Sequence, residues 1–179
     1  MTGMTYAKYL HLREILSLQN PLTPAGQRDI ADSERLFIVV HQASEVLLSQ
    51  ALVDLRHIEA NECDPVCYTH RVQRAISVIG ALEGQLKLLH EALRPSEFHA
   101  FRDRFGTASG LQSAQFHELF AISGRLSDEG LRDAVVRWRT THLEMVEYML
   151  GEMPGSGNTS GTRFLAHRIA ASCPYQAAS

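Results

Sequence analysis

The strongest constraint on this chain is an apolar stripe at helical spacing. From Asp32 it runs through Phe37, Val40/His41, Ser44, Leu47/Leu48, Ala51 and Leu55, in steps of three and four. A β-strand with period two would turn half of that set towards water. A second stripe reads Val72, Ala75/Ile76, Ile79, Leu82, Leu86, Leu89 and Leu93, and stops before Pro95. A third reads Leu131, Val135, Trp138, His142, Met145 and Met149. Asp32 and Ser33 are expected caps for the first helix, Ser96 for a short helix through Phe101, and Ser127 for the third long helix. Phe116, Leu119 and Phe120 suggest one more short helix, and Tyr6, Tyr9/Leu10 and Arg13/Ile15 an N-terminal one ending before Pro21. No stretch alternates with period two, no hairpin turn separates strand-like runs, and no repeat occurs. The expected fold is all-α, a helical bundle, in a single domain over 1–179.

Charge and cysteine content narrow the function. Lys and Arg number 17 and Asp and Glu 20, a net charge of −3, so no broad phosphate-neutralising face supports nucleic-acid binding. The longest unbroken aliphatic and aromatic run, 36–40, is short beside the roughly 20 residues of a membrane span. No signal-peptide core is seen, and three cysteines (Cys63, Cys67, Cys173) are too few for a disulfide scaffold. The expectation is a soluble cytoplasmic protein.

Two of nine histidines stand out by position. His41 and His142 lie on the apolar stripes of long helices, where a polar ring needs a partner. Each alone reads as a hydrogen-bonded core residue; two on two long helices raise the case for a shared ligand, a haem being one candidate. Spacing argues against other metals. Carboxylate di-iron bundles need Glu-x-x-His on two helices, and no Glu here has His three residues on. His-Glu-x-x-His is absent, and Cys63-x3-Cys67-x2-His70 has no second cluster to close a zinc site, so these cysteines read as free thiols in a connection. Without Cys-x-x-Cys-His, any haem would be held non-covalently. The glycines follow no strand and form no dinucleotide or P-loop pattern. Arg102 alone reads as a solvated charge, and Trp138 with Met145 and Met149 as core.

Several segments, in order, resemble one family, the tryptophan 2,3-dioxygenases, within the histidine-ligated haem-dependent aromatic oxygenases. They are Tyr6-x-x-Tyr9-Leu10-x-Leu12 with 19–22 (QNPL); 36–45 (LFIVVHQASE); 93–102 (LRPSEFHAFR); 108–116 (ASGLQSAQF); Trp138-Arg139-x-x-His142; and 155–161 (GSGNTSG) with Phe164-Leu165. The resemblance implies a helical bundle around a non-covalent haem b, with His142 as proximal ligand to the iron. It implies His41 as the distal, catalytic group, able to hydrogen-bond the substrate's ring N–H or bound oxygen. Arg102 would pair with an amino-acid carboxylate, Ser156 and its loop would bind the same end, and Phe37 would pack on the aromatic ring. Phe98, Ser109 and Trp138 would lie in or beside the pocket. Tyr6, Tyr9 and Leu10, in an N-terminal segment of about 1–22, would complete a neighbouring subunit's site, implying a homodimer or homotetramer.

Departures accompany the likeness. Phe98 stands where the family has tyrosine, Ser156 replaces threonine, Asn158-Thr159 replaces Gly-Ser, and Val46 replaces a tryptophan. Phe116 and Trp138 are 22 positions apart, where typical members carry a long helical insertion. The implied activity is O2-dependent oxidation of the indole of tryptophan or a derivative, as ring cleavage to N-formylkynurenine. The alternatives are a monooxygenase giving a hydroxylated or 2-oxindole product from a β-substituted tryptophan in natural-product biosynthesis, and a haem-binding sensor or carrier.

Overall fold

The computed structural model describes residues 3–60, 63–151, 153 and 162, and among them no strand occurs. Two short helices, α1 (Tyr6–Tyr9) and α2 (Leu12–Ile15), precede the frame of α3 (Arg28–Glu59) and α4 (Pro65–Ala92). These long helices are antiparallel: Asp54 meets Arg71 and Arg74, while Ser44, ten residues earlier, donates to Gln85 at 2.7 Å. α4 starts at Asp64, whose carboxylate accepts the Cys67 N–H at 2.7 Å, with Pro65 in the first position where no intrahelical donor is needed. α5 (Pro95–Phe101), α6 (Ala114–Leu126) and α7 (Glu129–Leu150) complete the bundle, with 3-10 turns at Arg102–Phe105 and Gly110–Gln112. α3 and α7 both pack along α4; α6 and α5 contact each of them, and the two make no extended contact with one another.

The stripes are buried as the periodicity requires. Val72, Ala75, Ile79, Leu82, Leu86, Leu89 and Leu93 face Leu48, Leu52 and Leu55 from α3 and Leu131, Val135 and Trp138 from α7 in one cluster. A stretch of α3 is apolar enough, by length and composition, to cross a membrane, with mean hydropathy 1.5. In the bundle 22% of that stretch is buried, and α3 packs on α4, α6 and α5.

Helix starts differ from expectation. α3 begins at Arg28, four residues before Asp32, and Asp32 and Ser33 lie inside it. Its N-terminal end is held from outside: Gln27 accepts from Arg104 at 2.8 Å, and buried Glu34, in the second turn, accepts the N–H groups of Leu22 and Thr23, both at 2.8 Å. These tertiary hydrogen bonds anchor the N-terminal part of α3, which has no side-chain cap. α5 begins at Pro95, with Glu97 accepting the Arg94 N–H, so Ser96 is not its cap. Asp128, accepting from Leu131 N–H at 2.9 Å, caps α7; Ser127 takes the left-handed φ of +53° that turns the chain from α6 into α7. The expected single N-terminal helix is two, broken at His11, where φ is +52°.

Asp54 ties α3 to α4. Fully buried, it accepts from Arg71 at 2.9 Å and from both Nε (2.8 Å) and Nη2 of Arg74, with Gln50 farther off at 3.4 Å. Burial raises its pKa, but the hydrogen bonds and charges of Arg74, Gln50 and Arg71 more than offset that, leaving the carboxyl below its usual range. Asp54→Ala would leave two partly exposed arginines without their shared acceptor and is expected to lower stability at neutral pH by about 1.5–3 kcal/mol, read by urea unfolding. Because the folded-state pKa is depressed, this contribution is fully present above the unfolded value of about 3.9 and lost as pH falls through the folded one. The gap between wild type and variant should therefore narrow in acid. A gap that stays constant down to pH values below the folded-state pKa would exclude the carboxylate as its source.

Candidate functional site

Heptad-like spacing on α3 puts Phe37 and His41 one turn apart, with ring centroids at 4.0 Å. The His41 Nδ1 lies 2.8 Å from the Phe37 carbonyl oxygen. A carbonyl only accepts, so Nδ1 carries the proton and Nε2 of the neutral ring presents a lone pair. Around Phe37 gather Phe98 at 5.7 Å, Phe101 at 5.6 Å and Phe105, stacked at 5.8 Å. Arg102, half-buried at the end of α5, places its guanidinium 5.8 Å from the Phe98 ring centre. Arg102, Phe98, Phe37 and His41 thus form one continuous wall, brought together by the Pro95 turn that lays α5 against α3.

The opposing wall is α7. His142 stacks on Trp138 (5.7 Å, interplanar angle 5°), and Trp138 stacks on Phe116 of α6 at 4.9 Å. Arg139 lies over Phe120 at 4.7 Å. The two walls are electrostatically linked. Burial, then the positive charge of His41, then that of Arg139, push the His142 pKa down to about 4, and burial lowers that of His41 against the opposing Phe37 carbonyl and Glu45. Yet His41 is exposed and His142 only half-buried. Both imidazoles are thus crowded by protein yet still reached by solvent, on two helices that pack on α4 and make no extended contact with one another.

This donor set fits a haem. Among the described residues neither ring nitrogen of His142 makes a hydrogen bond, and its ring is held by stacking alone. A desolvated, neutral imidazole with its lone pair disengaged is the donor an axial iron ligand requires. His41 stands on the other helix, and aromatic faces line both walls.

The remaining expected site residues separate into three groups. Ser109 is half-buried and its hydroxyl accepts the Leu111 N–H at 3.3 Å as a local cap. Tyr6 and Tyr9 are 75% and 71% exposed, and Leu10 is also exposed. Their segment is anchored at its far end, where Gln19 and the Leu18 carbonyl hydrogen-bond Gln42, the neighbour of His41, at 2.8 and 3.0 Å. Ser156 and the rest of the 155–161 loop lie outside the described residues. Phe105, in the 3-10 turn Arg102–Phe105, was not an expected site residue; a single aromatic directly before Gly106 offered little signal.

A family profile described as Tryptophan 2,3-dioxygenase matches residues 1–132. Curated relatives named Tryptophan 2,3-dioxygenase include one from Herpetosiphon aurantiacus, 33% identical over 126 residues, which covers 68% of this chain and 46% of the relative. One from Xanthomonas oryzae pv. oryzae is 35% identical over 136 residues, covering 72% and 42%, and one from Anopheles gambiae 36% identical over 126 residues, covering 65% and 31%. The chain thus spans less than half the length of these relatives. The profile match includes Phe37, His41, Phe98 and Arg102 and ends before Trp138 and His142.

Proposed function

Since the chain belongs to the tryptophan 2,3-dioxygenase family, we propose that it binds haem b through His142 and uses O2 to oxidise the indole ring of L-tryptophan or a close derivative. The observation that carries this reading is the pair of imidazoles on helices that both pack on α4, near enough that the charge of His41 lowers the pKa of His142. One ring is disengaged for a metal, and the other is oriented by a backbone carbonyl.

Haem, when bound, supplies the activation of dioxygen, and the ring-cleaving outcome places both oxygen atoms in the product without an external reductant. The chain's own residues hold and orient the substrate. His41 Nε2 accepts the indole N–H, because Nδ1–H is already engaged with the Phe37 carbonyl and fixes the tautomer. Phe37 gives the indole an aromatic face beside that acceptor. Arg102 pairs with the substrate carboxylate, for which a planar guanidinium offers two parallel N–H bonds. Phe98 cannot donate a hydrogen bond to that carboxylate, so Arg102 carries its binding together with the 155–161 loop, in which Ser156 is the proposed contact. Ser109 and Trp138 line the haem side. Closing apolar walls around the ring excludes water and holds the indole in one orientation.

The exposed Tyr6, Tyr9 and Leu10 serve a second subunit in this reading, completing its pocket within a homo-oligomer. Mixed assemblies test that sharing. Arg102→Ala chains co-assembled with chains lacking residues 3–16 should regain part of the activity that each lacks alone; hybrids as inactive as their parents would place every pocket residue within one chain.

The primary experiment is the product mass from L-tryptophan with the reduced, haem-loaded protein in oxygen. A gain of about 32 mass units supports ring cleavage. A gain of about 16, dependent on added reductant, would replace it with monooxygenation. Failure to take up haem would remove the proposal.

A further inference from the structure

At the opposite end of α3 from the proposed pocket, the turn into α4 brings three soft donor groups together. His57 lies in the last turn of α3, Cys63 in the connection and Cys67 in the first turn of α4. The Cys67 Sγ is 3.6 Å from His57 Nε2 and 2.8 Å from Cys63 Sγ, and one donor atom from each residue lies within 4.8 Å of the others. From spacing alone, Cys63-x3-Cys67-x2-His70 lacks a second cluster and reads as free thiols, and His70 is not among the donors that gather here. The histidine that joins the pair comes from the preceding helix.

We propose that His57, Cys63 and Cys67 form a binding site for a thiophilic d10 divalent cation, Zn2+, that clamps the α3–α4 connection. Tetrahedral zinc with Zn–S of about 2.3 Å and Zn–N of about 2.0 Å separates S from N by about 3.5 Å and S from S by about 3.8 Å. The Cys67–His57 distance already meets the first value, and small side-chain rotations open the sulfur pair to the second. The three protein donors leave a fourth position for water.

The surroundings support the cysteine ligand. Asp64 fixes the Cys67 backbone, and Arg71 Nε lies 3.3 Å from the Cys67 sulfur. Arg71 is itself held at 2.9 Å by the fully buried Asp54. A hydrogen-bond chain from Asp54 through Arg71 to the sulfur is the kind of outer support that orients metal ligands. Two thiolates neutralise the divalent charge, so Arg71 meets a thiolate and not a net cation. This site does not depend on the haem reading, since the 16 residues from His41 to His57 span about 24 Å of helix at 1.5 Å per residue.

The test uses the full chain, haem-loaded, reduced and freed of other metal by a chelator, then titrated with Zn2+. Native mass spectrometry should show one added zinc per chain, a gain of about 63 mass units as Zn2+ displaces two protons. Cys63→Ser and Cys67→Ser should weaken binding by about 100-fold or more and His57→Gln by about 10–100-fold, with His70→Ala unchanged. Zinc should also raise the thermal midpoint of the wild type but not of Cys67→Ser, a comparison that still reads if one serine variant folds poorly. Haem absorption, constant across the titration, separates this result from any failure at the proposed pocket. Zinc uptake equal in wild type and Cys67→Ser, or none in either, would overturn the site. So would a freshly isolated chain about 2 mass units light and closed to alkylation until reduced, which would make the pair a disulfide.

Discussion

Replacing His142 with alanine is expected to reduce haem retention from about one per chain to less than about a tenth, because under the proposal this imidazole is the residue that would hold the iron. His142 is the disengaged imidazole on the α7 wall, stacked on Trp138 and without a hydrogen bond among the described residues. The bundle itself should survive. The core beside it is supplied by Leu131, Val135, Met145 and Met149, and α7 contributes these whether or not position 142 carries a ring. Far-ultraviolet circular dichroism unchanged from wild type, with the Soret band lost, is the expected pair of observations. Exogenous imidazole should restore part of the haem, since the cavity left by the side chain admits a free ring. Normal haem content in the variant would assign the ligand to another residue. The family-profile match ends before this position, so this variant tests a role proposed from the Trp138-Arg139-x-x-His142 resemblance and from the ring's place on α7.

The second large effect is expected at Arg102. Arg102→Ala should lower kcat/KM for L-tryptophan by about 2–5 kcal/mol, or roughly 30-fold to several thousand-fold, the cost of leaving a carboxylate without its charged partner. Tryptamine, which lacks the carboxylate, should react poorly with both proteins and lose little on the substitution. That contrast separates carboxylate recognition from damage to the wall, because Arg102 also packs on Phe98. Arg102→Lys should recover only part of the loss, since an ammonium cannot reproduce the bidentate fork. An equal loss for tryptamine and tryptophan would mean that Arg102 supports the aromatic cluster and does not read the substrate's charged end.

Which helices form was legible because periodicity is local. The α4 stripe read from the chain coincides with the residues found buried, and the α7 stripe does so with His142 as its half-exposed member. His41 and His142 were conspicuous for the same reason, as polar rings where the pattern called for apolar ones. Helix starts were less legible. Asp32 and Ser33 are good caps chemically, yet α3 extends four residues further because Glu34 and Gln27 bind groups on Leu22, Thr23 and Arg104. A cap preference of about 1 kcal/mol is easily outweighed by several such contacts.

By itself, the sequence determined an all-α bundle, its three long amphipathic helices and the family likeness that points to haem and tryptophan. Those properties follow from spacing along a chain with 3.6 residues per turn and from motifs in continuous segments. Only the tertiary structure decided which groups meet. Asp54 finds Arg71 and Arg74, 17 and 20 positions away, Phe105 joins Phe37 across 68, and His57 reaches Cys67. Such pairings depend on how far each helix runs before it turns and on the angle at which the next one packs. A single sequence does not encode that geometry in any local pattern; it emerges when the apolar stripes are buried against one another.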